Sequence, residues 1–252
     1  MTLRLPFPSQ QLLFAAACSL FLLSDPAQAQ DFILKQDGTQ QQGKVMGSSP
    51  SGVQVQIGTG SMITIPMAQI KEARIAVTPP EFAQAQKAME QKQYDQALGL
   101  LKKLDQFKGL PAEWAQQAAA MIGDAYIEKG EVPKAEAAIA EYQKMYPGGA
   151  QADLGQAKIA AAKKDFATAK TKLEPLIAKA NDEKNPSRAN GFAYSQAFLL
   201  MGQVKESEGA LQEALDDYLK AVAIFYYDRN AATLAQEKAD ALRKANPTVF
   251  IP

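Results

Sequence analysis

From Met121 to Pro147 the chain reads MIGDAYIEKGEVPKAEAAIAEYQKMYP. Apolar and small residues recur there at helical spacing, on both sides of Gly130. Gly123 stands where two helices can approach closely, and Tyr126 comes three residues later. Gly130 breaks the pattern as a turn, Ala135 and Ile139 share one face of the second helix, and Pro147 closes the unit. The segment therefore predicts a helical hairpin of about 34 residues.

The pattern repeats outward from this unit. A small residue followed at four by an apolar one occurs at Ala97/Leu101, Ala135/Ile139, Ala169/Leu173 and Ala214/Tyr218, with intervals of 38, 34 and 45 between the alanines. The fourth unit keeps Gly202, Gly209, Ala214, Tyr218 and Ala221, with Lys205 in place of the aromatic. The first has Ala85, Tyr94, Ala97 and Leu101; the third has Ala157, Phe166, Ala169 and Leu173. Both replace the close-packing glycine by alanine. The longer intervals place insertions at Gln106–Ala112 and Asn181–Asn190, both rich in turn residues. Ala231–Ala245 reads as a last amphipathic helix whose Glu237, Lys238, Asp240, Arg243 and Lys244 suit a solvating cap.

The spacings of Gly123 to Tyr126, Ala135 and Pro147 resemble the tetratricopeptide repeat, and the resemblance covers residues 79–245. It implies a superhelix of stacked hairpins that binds a peptide or partner helix along the first helix of each pair. The positions carried over to that face are Phe82, Gln86, Met89 and Glu90; Gln117, Met121, Asp124 and Glu128; Leu154 and Lys158; and Leu199, Gln203 and Glu206. The set is acidic to neutral with scattered apolar anchors, and Lys158 is its single cation. It lacks the Lys/Asn/Arg group with which some relatives clamp a C-terminal carboxylate. The expected partner is a protein or peptide, such as a basic or amphipathic helix. Trp114 and Phe225-Tyr226-Tyr227 are read as filling between helices, with Tyr226 or Tyr227 the member exposed.

Residues 30–77 have a different pattern, with short alternating apolar runs punctuated by glycine. Phe32–Lys35 leads through Asp37-Gly38 into a second strand at Gly43–Gly47. Val53, Val55 and Ile57 share one face of a third strand, Met62–Ile65 forms a fourth, and Pro66–Ile70 turns into a last strand near Ala73–Ile75. Five short strands predict a small barrel-like module, similar to the SH3-like or Sm-like modules of bacterial envelope proteins. With Phe32 its only aromatic, it reads as a docking module rather than a peptide pocket. A module of this size is marginal alone and is expected to pack against the region that follows it.

Residues 1–29 read as a leader. Leu12–Leu23 (LLFAAACSLFLL) is an apolar run too short to span a membrane, and Ala27-Gln28-Ala29 places cleavage between Ala29 and Gln30. Cys18 reads as a small hydrophobe within that run rather than a lipidated residue, because Ala15 stands where a lipoprotein box carries Leu. The expected location is the periplasm or envelope, with no membrane span in the mature chain.

Composition narrows the chemistry. The 252 residues carry 27 Lys+Arg, 27 Asp+Glu, no His and one Cys. Zero net charge argues against a nucleic-acid partner. Without histidine there is no Ser-His-Asp triad and no imidazole metal ligand. Asp216 and Asp217 diverge by about 100° on a helix and do not converge on one substrate. No cofactor, metal or catalytic residues are assigned. The expected fold class is α+β, mostly α: leader 1–29, β module 30–77 and solenoid 78–252. The expected function is a non-enzymatic scaffold; the alternative is a self-associating structural component of the cell envelope.

Overall fold

The computed structural model describes residues 30–186 and 188–249. The expected leader, with Cys18 and Ala29, lies outside them. Among the described residues the chain forms β1 (Phe32–Lys35), β2 (Gln40–Gln42), β3 (Lys44–Ser49), β4 (Gly52–Ile57), β5 (Ser61–Ile65) and β6 (Ile70–Arg74). Nine α-helices come next among the described residues: α1 (Pro80–Glu90), α2 (Tyr94–Lys102), α3 (Glu113–Glu128), α4 (Val132–Met145), α5 (Ala150–Ala162), α6 (Phe166–Asp182), α7 (Arg188–Ser207), α8 (Leu211–Ala223) and α9 (Arg229–Ala245). The molecule is α+β and mostly helical.

The β region is not the five-stranded barrel that the sequence predicts. Its six strands make two antiparallel three-stranded sheets, ordered β2-β1-β6 and β3-β4-β5. The expected second strand, Gly43–Gly47, is β3, and an unexpected strand, β2, precedes it; Gly43, with a φ of +151°, makes the bend between them and sends them to different sheets. A Cβ there would stand 2.6 Å from the Gln56 carbonyl oxygen, so only glycine fits the bend. The Asp37-Gly38 turn does join β1 to β2, with Phe32 opposite Gln42 and Leu34 opposite Gln40. Asp31 ties the sheets together: its carboxylate accepts from Val45 N at 2.9 Å and from Ala76 N at 2.8 Å.

The sheets have no core separate from the helices. Ile33, Val45, Val53, Val55, Ile65 and Ile70 belong to one buried cluster with Phe82, Ala85, Leu101, Leu110 and Trp114. Loop 103–112, which contains the Gln106–Ala112 insertion, makes the junction. Ser48 Oγ donates to the Lys108 carbonyl at 2.6 Å, and Ala73 N donates to the Pro111 carbonyl at 2.9 Å. A loop that interrupts the repeat in sequence is thus the seat of the β region.

The hairpins α1/α2, α3/α4, α5/α6 and α7/α8 stack in order, and α9 packs on α8 and α7. Every alanine of the repeating pair is buried, as are Leu101, Ile139, Leu173 and Tyr218. The glycine–alanine alternation has a packing cause. A Cβ at Gly202 would meet the Tyr218 ring at 2.5 Å, and one at Gly123 would meet Ile139 Cγ1 at 2.9 Å. Where the residue sixteen further on is Leu101 or Leu173, Ala85 and Ala157 are accommodated, both fully buried. The turns alternate in the same way. Lys92, Gly130, Lys164 and Gly209, each five residues before a repeat alanine, all take positive φ, at 59°, 74°, 61° and 81°.

Candidate partner-binding face

The first helix of each pair, α1, α3, α5 and α7, lines one side of the array, and α9 extends the row. The row is tightly curved, since α3 touches α7 two repeats on as well as α5 between them. Glu90, at the end of α1, accepts a hydrogen bond from Asn230 Nδ2 at 3.1 Å, at the start of α9.

Polar side chains cross-link this row. Lys158 Nζ on α5 donates to Asp124 Oδ1 on α3 at 2.7 Å and to Gln196 Oε1 on α7 at 2.6 Å. Gln196 Nε2 then donates to Asp228 Oδ2 at 2.6 Å. The other oxygen of Asp228 caps α9, accepting from Asn230 N at 3.0 Å and Ala231 N at 3.2 Å. Ser195, wholly buried, accepts from Asp228 N at 3.1 Å and donates to the Phe225 carbonyl. One chain of hydrogen bonds therefore runs through Asp124, Lys158, Gln196 and Asp228, spanning four helices. Next to Lys158, a depression of about 10 Å³ lined by Asp124, Ile139, Tyr142 and Gly155 has room for a water and no more.

The residues singled out from the sequence separate into three groups. Leu154 is fully buried and Phe82 is buried against the Trp114 ring, at 6.2 Å between centroids, so neither is free to meet a partner. Their sequence positions suited the face, but packing between neighbouring hairpins turned them inward. Met89, Met121 and Leu199 are half-buried against the cores. Gln86, Gln117, Asp124, Lys158, Gln203 and Glu206 are half-exposed, and Glu90 and Glu128 are exposed. Several of these are already engaged: Gln117 donates to Glu113 at 3.1 Å, Glu128 accepts from Tyr94 Oη at 3.2 Å, and Glu206 accepts from Tyr218 Oη at 2.6 Å. Burial and the Glu206 carboxylate push the Tyr218 phenol well above its ordinary value.

Gln196, Ser195 and Asp228 escaped the sequence reading. Asp228 had a legible signal, a carboxylate directly before an amphipathic helix. Gln196 had none, because its partners lie 38 residues before and 32 after. Trp114 and Phe225 are buried as expected, Phe225 stacked on Phe198 at 4.6 Å. Tyr226 is 68% exposed and Tyr227 40%.

A family model described as tetratricopeptide repeat matches residues 70–214, more than half of the chain. The chain belongs to the tetratricopeptide repeat family. Two solved structures are similar over 67% of this chain at 17% identity and a TM-score of 0.41: the nearly identical TPR-like repeats of a Podosopora anserina protein described as kinesin light chain, and a single-substitution variant of it. The similarity covers 86% and 85% of those chains. No curated protein matches the chain. In this repeat family each hairpin buries its stripe only by stacking on neighbours. That is the arrangement of α1 to α8 here.

Proposed function

We propose that this protein is an exported, non-enzymatic scaffold that holds a basic protein segment along its inner helices. The observation that supports the reading is the charge of that row. Among the positions carried over to that face, Glu90, Asp124, Glu128 and Glu206 are carboxylates and Lys158 is the one cation, already paired with Asp124 at 2.7 Å. A carboxylate surplus held by cross-helix hydrogen bonds favours an incoming Lys or Arg and disfavours an acidic tail. The shallow relief at Lys158 suits a segment lying across the face rather than a small ligand entering it.

Export is part of the proposal and rests on the apolar Leu12–Leu23 run and the Ala27-Gln28-Ala29 pattern. Among the described residues no helix is long and apolar enough to cross a membrane.

Photo-crosslinking in cells tests the scaffold reading. A photoreactive residue at Gln86, Gln117 or Gln203 is expected to give discrete protein adducts, and one at Glu136 on the outer row none. Asp124→Lys together with Glu206→Lys is expected to abolish the inner-face adducts. Equal adducts from both rows would overturn the reading. Amino-terminal sequencing of the mature protein checks export, with Gln30 expected as the first residue.

A further inference from the structure

The two small sheets expose four strand edges, and the structure treats them unequally. The β6 edge is occupied where Ala73 N donates to the Pro111 carbonyl at 2.9 Å. The β3 edge lies against the same insertion. Val45 N at that edge donates to the Asp31 carboxylate at 2.9 Å, and Ser48 Oγ donates to the Lys108 carbonyl. The β2 edge is only three residues long. Short and covered edges are the usual protections against strand addition.

β5 has neither protection. It is five residues long, pairs on one side with β4, and has no other strand beside it among the described residues. Its sequence, Ser61-Met62-Ile63-Thr64-Ile65, has no charge and no proline within it. Met62 is 51% exposed.

The pattern of β5 fits its own antiparallel image. In the β4 register Val55 faces Ile63 and Val53 faces Ile65, so Ile63 and Ile65 lie on the core face. Met62 and Thr64, opposite Gln56 and Gln54, lie on the outer face. Pairing two β5 strands about Ile63 puts Ile63 against its counterpart on the core face, where it is now only half-buried. It puts Met62 opposite Thr64 of the other copy, twice, and no like charges meet. Two-fold pairing of one edge with itself is closed, so it stops at a dimer.

We propose that β5 is a homodimerisation edge, joining two copies through a continuous six-stranded sheet β3-β4-β5-β5-β4-β3. The inference is independent of the scaffold reading: dimerisation can fail while the inner face still captures a partner, and the reverse.

Charge placement tests it on the full chain. Met62 and Thr64 are exposed on the outer face, so their replacement leaves the core intact. Met62→Lys with Thr64→Lys sets two lysine pairs face to face across the dimer. Sedimentation is expected to show the dimer dissociation constant raised by about tenfold or more. Met62→Lys with Thr64→Glu sets opposite charges at the same places and is expected to restore the dimer. Circular dichroism of each variant checks that the fold persists. In a Cys18→Ala background, Ile63→Cys is expected to give a disulfide-linked dimer under mild oxidation, and Gln40→Cys on the β2 edge none. A monomeric native chain, or a dimer indifferent to both charge variants, overturns the proposal.

Discussion

At Gly202 the fold depends on a missing side chain. The ring of Tyr218 occupies the space that a Cβ would need, at 2.5 Å, and its hydroxyl is held by Glu206 at 2.6 Å. Gly202→Ala is expected to destabilise the protein by about 2 kcal/mol, because the buried ring has no free direction in which to retreat. Adding Tyr218→Leu recreates the alanine–leucine pairing of the first and third hairpins and is expected to recover about 1 kcal/mol of that loss in a denaturant double-mutant cycle. Lys92 and Lys164 pose the opposite case. Both hold a left-handed conformation that the second and fourth hairpins give to glycine. Lys92→Gly and Lys164→Gly are each expected to stabilise the chain by about 0.5–1 kcal/mol, measured as a higher denaturant midpoint with an unchanged slope. The sequence could show Gly130 and Gly209 as turns, because glycine marks the conformation. It could not show Lys92 and Lys164, where tertiary stacking imposes the same turn on a residue that does not favour it.

Among the elements, α9 shows how local and distant constraints meet. Its buried stripe, Ala231, Ala235, Ala239 and Leu242, and its charged outer face result from helical periodicity alone. Its position depends on Asp228, which caps the helix with one oxygen and takes the Gln196 amide with the other. Asp228→Ala is expected to cost about 2 kcal/mol, and Asp228→Asn distinctly less, since an amide oxygen still caps. α6 is capped in the same way by Asp165, which accepts from Thr168 N at 3.1 Å. That hydrogen bonding holds the Asp165 carboxyl below its ordinary value. Its contribution is therefore present above the ordinary carboxylate range and lost as pH falls through the lowered value. The helices were legible because small and apolar residues recur with a fixed spacing. The strands were less so. Alternation located most of the sheet segments, but nothing local announced a separate strand at Gln40–Gln42, or that it and β3 join different sheets on either side of Gly43. The hydrogen-bonded row from Asp124 to Asp228 was invisible for a related reason: its members are ordinary polar residues until superhelical stacking aligns them.

Across the whole molecule, the apolar filling between hairpins includes phenols. Burial pushes Tyr142 up to about 12, and Tyr146, Tyr194 and Tyr218 are raised as well, burial being the leading cause in each. The folded chain then binds more protons than the unfolded one once pH passes the ordinary phenol value of 10.0. Stability is therefore full below that value and falls as pH rises through the raised ones. Thermal melts at rising pH are expected to show a steady loss beginning near that value, with tyrosinate absorbance appearing together with unfolding. Stepwise ionisation of a still-folded chain would contradict the packing described for these rings.

The seat that loop 103–112 makes for the two small sheets also sets an order in time. Strands β1 to β6 are complete once residue 74 has been made, yet their covering contacts come from Lys108 and Pro111. A chain emerging amino terminus first must hold these strands with two edges bare until the first hairpin and the loop after it have arrived. The closing contacts span 60 residues in the case of Ser48 and Lys108, so their loop-closure entropy is met late. The β region and the first hairpin should then acquire protection from amide exchange together, as one folding step, while the hairpins beyond add to a finished end.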